Sequence, residues 1–349
     1  MVQQQYKYAD QLPAGSKNRI EKIAIVGASG HIGSSITSAL LATGCHTLTA
    51  LTRSTTPLSL PPSIHIARID YTSPASITHA LTGHDALIIT LSVTAPPTAM
   101  TTLLDCASAA GVPWVLPNYF SSDPTLTRLQ DESLTGPLTA ETRAHIRSTR
   151  TLSYVQLACG FWYEHSLCAF SWGFGFDALR KTACFYDDGT TRITTSTFAQ
   201  AGQAVAALFS LPVLPEREGD EQATLSRYRD GAVYVSSFRV CQRDMFESLL
   251  RVTGSSEAEW EIKYRPVGEV YAEGLKGLRE GKGAEAFGTC LYSRSFFPTG
   301  EGDFTEKLDN EALGLVADES LDEATGRAID LQKAGYGSYG AGAEIYGKR

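Results

Sequence analysis

Three glycines in the run GASGHIG, residues 27–33, form the sharpest chemical signal in this sequence. The run follows the apolar stretch Ile23–Val26 and precedes a helical pattern. In such a loop Gly27 permits a tight turn, Gly30 lets backbone N–H groups approach a pyrophosphate, and Gly33 lets the helix pack closely on the strand. The helix N-terminus adds partial positive charge. The spacing is GxxGxxG rather than GxGxxG, and a glycine-rich turn without a ligand is the alternative. The predicted dinucleotide contacts from this loop are Gly27, Ser29, Gly30, His31, Ile32 and Gly33.

The residue types after the second predicted strand indicate which dinucleotide is bound. An NAD(H) site usually places an acid there, about 20 residues after the glycines, to hold the ribose 2′-hydroxyl. Here no Asp or Glu occurs between Lys22 and Asp70, and the strand is followed by Arg53 and Ser54. A guanidinium beside hydroxyls suits a 2′-phosphate, because it can pair with the phosphate in bidentate fashion. NADP(H) is therefore the predicted cofactor, and a solvated arginine at a strand end is the alternative interpretation.

Further polar residues follow the predicted strands at the same edge of the sheet. Ligands of an open parallel sheet bind at the carboxyl ends of its strands. Asp70 follows the third strand and is predicted to lie beside the adenine. Ser92 ends the fourth strand, where the phosphates and ribose of the cofactor usually pass, and Asn118 follows the fifth. These three residues complete the predicted cofactor-binding set.

Alternating short β-rich runs and helical stretches position these residues. Up to about residue 160 the alternation predicts βαβ units and a parallel sheet. The predicted fold class is α/β, a Rossmann-type doubly wound parallel sheet with a smaller C-terminal α+β substrate region. Residues 1–20 are predicted to be a flexible leader, 21–160 the NAD(P)-binding domain, 161–334 the substrate region packed on the sheet, and 335–349 a disordered tail.

Two local patterns in the substrate region give specific expectations. The runs Ala183–Tyr186 and Thr191–Thr194 flank Asp187-Asp188-Gly189, which is typical of a hairpin. The run Ala232–Phe238 is predicted to be one strand. Both predictions depend on local residue types alone.

Composition limits the classes of partner and compartment. The chain has 30 Lys and Arg against 38 Asp and Glu, a net charge of −8, which argues against non-specific nucleic-acid binding. No secretory signal or membrane span is predicted, because residues 1–22 lack an apolar core and no long apolar stretch occurs. Seven scattered cysteines without CxxC spacing predict neither a disulfide framework nor a zinc site. We therefore expect a cytoplasmic monomer or homodimer with a small-molecule substrate.

The glycine run, WVLPN at residues 114–118 and GFWYEHSL at residues 160–167 together resemble the NmrA-like and isoflavone-reductase-like group. These proteins are atypical members of the short-chain dehydrogenase/reductase superfamily. Segments 185–200, 243–254 and 291–304 are similar to fungal CipA-like oxidoreductases. The resemblance covers roughly residues 20–330. It implies NADPH binding and reduction of a ketone or an activated double bond in a small aromatic or polyketide-like molecule of secondary metabolism.

The sequence departs from this group at the helix after the fifth strand. Typical superfamily members carry Tyr-x-x-x-Lys there, and the isoflavone-reductase-like branch keeps the lysine in a Lys-x-x-Ile/Val-Arg pattern. Here Thr139 and Arg143 occupy the pair, and no lysine occurs between Lys22 and Lys181. Arginine stays protonated near neutral pH, so Arg143 cannot donate the proton, although it can stabilise a developing enolate or alkoxide.

A different proton donor is therefore required. Tyr163 is the first candidate because it follows the sixth strand, and Tyr119 and His165 come next, with a water molecule as a further alternative. Each of these side chains is also a common packing residue. Several aromatic residues near this edge predict an apolar pocket or a packed core, and they are Trp114, Tyr119, Phe120, Phe161, Trp162, Tyr163, Phe170, Trp172, Phe174 and Phe176.

Three functions remain open at this point, since the fold alone does not choose among them. The first is an NADPH-dependent reductase. The second is a non-catalytic NADP(H) sensor, which the missing lysine favours, and the third is a non-redox isomerase or lyase on the same fold. A reductase needs an open space beside the cofactor, whereas a sensor would have that space filled by a side chain.

Overall fold

A computed structural model describes residues 6–53, 60–91, 95, 96, 98–168, 172–316 and 319–336 of the chain. Its strands are β1 (Lys22–Val26), β2 (Thr47–Thr52), β3 (His65–Arg68), β4 (Ala86–Ile89), β5 (Trp114–Leu116), β6 (Phe120–Ser121), β7 (Ser153–Ala158), β8 (Phe161–Trp162), β9 (Phe176–Asp177), β10 (Thr182–Tyr186), β11 (Ile193–Ser196), β12 (Gly231–Tyr234), β13 (Phe238–Val240) and β14 (Glu261–Arg265). Its α-helices are α1 (His31–Ala42), α2 (Pro74–Leu81), α3 (Ala99–Ala109), α4 (Thr127–Glu132), α5 (Gly136–Thr149), α6 (Tyr163–Cys168), α7 (Phe198–Ser210), α8 (Gln242–Thr253), α9 (Val267–Arg279), α10 (Gly283–Ser295) and α11 (Leu321–Lys333).

The main sheet has the spatial order β12-β7-β5-β4-β1-β2-β3, with β6 also paired to β7. All of its pairings are parallel. Successive residues of β1 face opposite sides, so that Ile23 and Ile25 join one core while Ala24 and Val26 join another. Helices α1 and α7 cover the first face, and α2, α3 and α5 cover the second. The predicted doubly wound α/β fold is confirmed.

The predicted hairpin around Asp187 is wrong. Strand β10 pairs with β9 and β14, whereas β11 pairs with β8 and β13, so the two runs lie in different sheets. The turn binds a distant segment instead of closing a hairpin. Asp187 has a φ of 52°, its N–H donates to the Arg265 carbonyl at 2.8 Å, and its carboxylate accepts from the Val267 N–H at 3.1 Å.

The run predicted as one strand at residues 232–238 is two strands. Strand β12 adds to the main sheet beside β7, and β13 belongs to the sheet of β11. Between them the N–H of Val235 still donates to Ala158, but the N–H of Ser237 donates to Thr195. The main sheet thus includes a strand from the region beyond residue 160. The predicted domain boundary at residue 160 lies between two strands, β7 and β12, that pair with each other.

The N-terminal segment is attached to the fold. The N–H of Ala9 donates to the Pro215 carbonyl at 2.9 Å, and the Asn18 amide both donates to and accepts from the Leu214 backbone at 2.8 Å. Ile20 is buried in the main core. These contacts contradict a flexible leader for the described part of residues 1–20. No helix in the described part of the chain is long and apolar enough to cross a membrane.

Candidate active site

The glycine loop between β1 and α1 is packed too tightly for side chains at two positions. Gly27 has a φ of 80°, and a Cβ there would lie 2.0 Å from the Thr90 carbonyl oxygen. A Cβ on Gly33 would lie 2.0 Å from the Gly27 carbonyl oxygen. Thr90 is fixed in turn, because its hydroxyl donates to the Val26 carbonyl at 2.7 Å. The predicted turn and close-packing roles of these glycines agree with this geometry.

The first turn of α1 is open to a ligand. A Cβ on Gly30 would approach only the Gly27 carbonyl oxygen, at 3.3 Å, so its remaining surroundings are open. No side chain caps the helix, and Ser29 and His31 are exposed, whereas the Ile32 side chain is buried in the core. Uncapped N–H groups at a helix N-terminus bind anions readily. The loop therefore fits a pyrophosphate, with Ile32 able to contribute only its backbone.

Arg53 lies at the carboxyl end of β2 and is exposed. Its guanidinium carbon is 5.3 Å from the centre of the Tyr71 ring, and it pairs with no carboxylate in the described part of the chain. Asp70 is also exposed, and its Oδ1 accepts from the N–H and hydroxyl of Thr72, both at 2.8 Å. These hydrogen bonds lower the pKa of the Asp70 carboxyl. Ser54 and Ser92 lie outside the described residues.

A cavity of about 560 Å³ opens at the carboxyl ends of β4, β5 and β7. Leu91, Asn118 and Gly160, which follow these three strands, line it. The Asn118 amide donates to the Leu91 carbonyl at 3.2 Å. The aromatic part of the wall consists of Tyr119, Phe120, Phe161, Trp162 and Tyr292. No Asp, Glu, Lys or Arg is among the described residues that line it, so the cavity presents no fixed charge.

Among the described residues that line the cavity, His165 has the most strongly shifted pKa. Burial, together with the charge of nearby His31, lowers its pKa from the ordinary 6.5 to about 4. Its Nδ1 lies 2.8 Å from the Tyr336 hydroxyl, and its ring meets the Trp162 ring edge-on at 6.2 Å between centroids. His165 is therefore a neutral imidazole at pH 7, able to donate or accept a hydrogen bond in the cavity.

Tyr119 lies far from His165 in the sequence but lines the same cavity. Its hydroxyl donates to the Leu138 carbonyl at 2.9 Å and lies 2.7 Å from the Thr142 hydroxyl. Both partners belong to α5, so Tyr119 is held against the helix that carries Thr139. Tyr119 and His165, predicted as alternative proton donors, and Asn118, predicted as a cofactor contact, thus line one cavity.

Tyr163 does not line the cavity. It is fully buried between Phe174 and Phe238, and its hydroxyl lies 2.8 Å from the Thr325 hydroxyl. Burial raises the pKa of Tyr163 well above its ordinary value. Two residues along an α-helix correspond to about 200° around its axis, so Tyr163 and His165 face opposite sides of α6. This placement corrects the expectation that Tyr163 donates the proton.

Arg143 also lies outside the cavity wall. Its Nη1 donates to the Gln156 side-chain oxygen at 3.4 Å, while Thr139, one turn earlier on α5, does line the cavity. Arg143 is therefore not brought into contact with the space that a substrate would occupy. Of the predicted aromatic set, Trp114, Phe174 and Phe176 are core residues, and Phe170 lies outside the described residues.

Sequence reasoning missed a wall of hydroxyl groups. It comes from the segment between β6 and α5 together with α5 itself, namely Ser121, Ser122, Ser133, Thr135 and Thr139. The density of Ser and Thr between residues 121 and 139 was a visible signal, but no motif marks it. It also missed Tyr336, which the composition assigned to a disordered tail.

A buried arginine supports the part of the cavity wall that α10 forms. Arg294 on α10 is 1% exposed and pairs with Glu132 and Glu301, each at 2.5 Å. Glu132 ends α4, directly before the cavity residues Ser133 and Leu134. The α10 residues Leu291, Tyr292 and Ser295 line the cavity beside it. The Arg294–Glu132 ion pair therefore joins the two segments that form this part of the wall, and the Arg294–Glu301 pair fixes α10 to the loop that follows it.

Comparisons with known proteins agree with this geometry. Residues 27–154 match the model of an NAD(P)H-binding family. Oxidoreductase poxI from Penicillium oxalicum is 26% identical over 319 residues, which cover 89% of this chain and 94% of that protein. The fold is similar to that of isoflavone reductase, with a TM-score of 0.65 and 18% identity over 89% of this chain and 99% of the other. It is also similar to a protein called AtPrR2, solved with NADP+ and (+)-pinoresinol, with a TM-score of 0.67, 18% identity and the same coverage. The predicted resemblance is confirmed: the chain carries an NAD(P)H-binding Rossmann domain and is similar to fungal oxidoreductases and to isoflavone-reductase-like enzymes.

Proposed function

We propose that this protein is an NADPH-dependent reductase that acts on a ketone or an activated double bond of a small, uncharged aromatic molecule in secondary metabolism. The observation that carries the proposal is the aromatic, charge-free cavity at the carboxyl ends of β4, β5 and β7. This is the edge at which the glycine loop also lies, and open α/β sheets bind their ligands there.

The residues around the glycine loop fit NADP(H). Gly27 and Gly33 close the loop, Gly30 leaves room for a pyrophosphate, and the uncapped N-terminus of α1 provides N–H groups. Arg53 would hold the 2′-phosphate, since no acid competes for it in the described part of the chain. NADPH, when bound, supplies a hydride to an electrophilic carbon.

The cavity wall indicates an uncharged substrate. Burying an ion without a partner of opposite charge is costly, and the wall offers no such partner among its described residues. Aromatic side chains on one side would pack against substrate rings, and the Ser and Thr hydroxyls would pair with its oxygen atoms. The presence of (+)-pinoresinol in the structurally similar AtPrR2 is consistent with this substrate class.

His165 and Tyr119 are the proposed groups that contact the reacting part of the substrate. A neutral imidazole N–H can stabilise negative charge that develops on a carbonyl or enolate oxygen as the hydride arrives, and a water molecule would then supply the proton. Tyr119 lines the same cavity, and its hydroxyl would donate to that oxygen only by releasing the Leu138 carbonyl. Arg143 is assigned a supporting role, in which it holds Gln156 behind the cavity.

The open cavity favours an enzyme over a sensor. A sensor that uses only the cofactor would have no need for a substrate-sized space beside it. Here about 560 Å³ is open, which is within the size range of ordinary small-molecule sites. An isomerase or lyase shares this geometry, and net consumption of NADPH separates it from a reductase.

The test begins with titration of the purified protein with NADPH and NADH at matched salt. We expect NADPH to bind at least about tenfold more tightly, which corresponds to about 1.4 kcal/mol. Arg53→Ala should weaken NADPH binding more than NADH binding, because only NADPH carries the 2′-phosphate. Arg217→Ala, at an exposed position in the loop after α7, removes the same charge and is the control.

Turnover of uncharged aromatic ketones and enones is then measured by NADPH consumption. Consumption with formation of the reduced product would support the reductase. Product formation without net consumption of NADPH would instead indicate an isomerase or lyase. Equal losses of both dinucleotides in Arg53→Ala would remove Arg53 from the 2′-phosphate site.

A further inference from the structure

Tyr336 links the cavity to the glycine loop. It follows α11, and its N–H donates to the Leu331 carbonyl at 3.0 Å. Its hydroxyl lies 2.8 Å from His165 Nδ1. Its ring meets the His165 ring edge-on, with centroids 5.5 Å apart, and the His31 ring in the same manner at 4.3 Å. One side chain near the C-terminus therefore contacts both the cavity histidine and the first residue of α1.

We propose that Tyr336 is a positioning residue for His165: its hydroxyl donates to Nδ1, keeps the ring proton on Nε2 and fixes the orientation of the imidazole at the cavity. The catalytic importance of this arrangement rests on the proposed reductase function. The hydrogen bond and the tautomer do not depend on it.

The chemistry of a neutral imidazole gives the reason. Such a ring has one N–H donor and one acceptor nitrogen, so an O–H donor at Nδ1 places the proton on Nε2. The edge-on contacts with Trp162 and Tyr336 limit rotation of the ring. The result is a histidine whose Nε2 carries the proton while the ring stays uncharged, which suits an oxygen on which negative charge develops.

The contact with His31 extends this role to the cofactor side. His31 begins α1, and its ring is stacked on Phe198 with 6.0 Å between centroids, while the Tyr336 ring meets the His31 ring edge-on at 4.3 Å. A dinucleotide at the N-terminus of α1 would therefore lie against the same group of rings that holds His165. Loss of the whole Tyr336 ring should disturb both sites, whereas loss of its hydroxyl alone should disturb only His165.

The first experiment follows the histidine tautomer by NMR on the full chain labelled with 15N-histidine. The His165 signal is assigned with His165→Gln. We expect the Nε2–H tautomer in the wild type and a shift toward a mixture of tautomers in Tyr336→Phe. Tyr264→Phe is the matched control, because its exposed hydroxyl accepts a hydrogen bond from Arg243 on another surface. An unchanged His165 signal in Tyr336→Phe would overturn the proposal.

The second experiment measures kinetics and NADPH binding. Removing one positioning hydrogen bond should lower kcat by about tenfold in Tyr336→Phe, with little change in NADPH affinity. In a His165→Gln background the same change should cost no further activity, since its effect passes through His165. An equal additional loss in that background would contradict the positioning role. Absence of wild-type turnover would count against the reductase function, while the NMR result would still decide the role of Tyr336.

Discussion

At the residue scale, two neighbouring positions on α6 have opposite environments. His165 lines the cavity, whereas Tyr163 is packed inside the second hydrophobic core with its hydroxyl against Thr325. The sequence offered both as proton donors at the end of the same strand. The helix rotates them about 200° apart, so only one of them can face the cavity. Of the two residues, only His165 can therefore contact a molecule in the cavity.

The buried imidazole predicts a specific dependence of stability on pH. The pKa of His165 is lowered to about 4 in the folded protein, while the unfolded chain takes up the proton near 6.5. Below pH 6.5 the unfolded state therefore binds more protons, and the free energy of unfolding falls until the folded state is also protonated near pH 4. Relative to His165→Gln, the wild type should lose about 3 kcal/mol more between pH 7 and pH 4.

Urea denaturation at a series of pH values tests this prediction. The quantity compared is the slope of the free energy of unfolding against pH. Carboxylates titrate in the same range in both proteins, so the difference between the two slopes reports His165. His65→Gln, at an exposed position on β3, is the matched control and should follow the wild type. Identical pH dependence in the wild type and His165→Gln would show that the imidazole is not held neutral by burial.

At the element scale, the glycines between β1 and α1 are of two kinds: two are required by packing within the protein, and one leaves space for a ligand. Gly27 and Gly33 are required by contacts within the protein, since a Cβ at either position would overlap a carbonyl oxygen. Gly30 is different, because its Cβ would meet no atom closer than 3.3 Å. Apart from that one tight contact with the Gly27 carbonyl oxygen, the space beside Gly30 is open, which is the expected property of a residue that a pyrophosphate approaches.

This difference predicts opposite outcomes for two alanine substitutions. Gly33→Ala should lower the free energy of unfolding by roughly 1–3 kcal/mol, the usual cost of overpacking, and should also weaken NADPH binding. Gly30→Ala should leave stability close to that of the wild type while lowering NADPH affinity. Thermal unfolding and NADPH fluorescence titration measure the two effects. An unchanged NADPH affinity in Gly30→Ala would mean that the cofactor does not approach this position.

At the scale of the whole molecule, the two regions share one sheet and one helix layer. Strand β12 completes the main sheet beside β7, and α7 packs so closely on α1 that a Cβ on Gly202 would lie 2.6 Å from the Ser35 carbonyl oxygen. Ile36 and Leu40 of α1 are buried in the same core as Val205 of α7. Residues beyond 160 are therefore part of the structure that holds the glycine loop.

A fragment of residues 1–160 is accordingly expected not to fold. It would expose the face of α1 and the edge of β7, and this apolar surface would remain in water. We expect no cooperative thermal transition by circular dichroism and no NADPH binding. The full chain is the control and should show both the transition and NADPH binding. A cooperative transition in the 1–160 fragment would show that the predicted domain is autonomous.

The sequence by itself determined the Rossmann unit and its phosphate loop. Strands β1 to β5 and β7 and helices α1, α2, α3 and α5 follow from apolar periodicity and glycine positions, whereas β6 and α4 were not predicted. The absence of an acid between Lys22 and Asp70 likewise led to the prediction of NADP(H) as the cofactor. These features are local, so residue types and spacing were sufficient to predict them.

Only the tertiary structure decided which residues meet at the cavity. The hairpin prediction failed because Asp187 binds the backbone at residues 265 and 267, far along the chain. The choice of His165 over Tyr163 required the direction of α6, and Tyr336 reaches His165 across 171 residues of sequence. Contacts between residues so far apart depend on how complete elements pack, and the periodicity of a single segment carries no information about its distant partner.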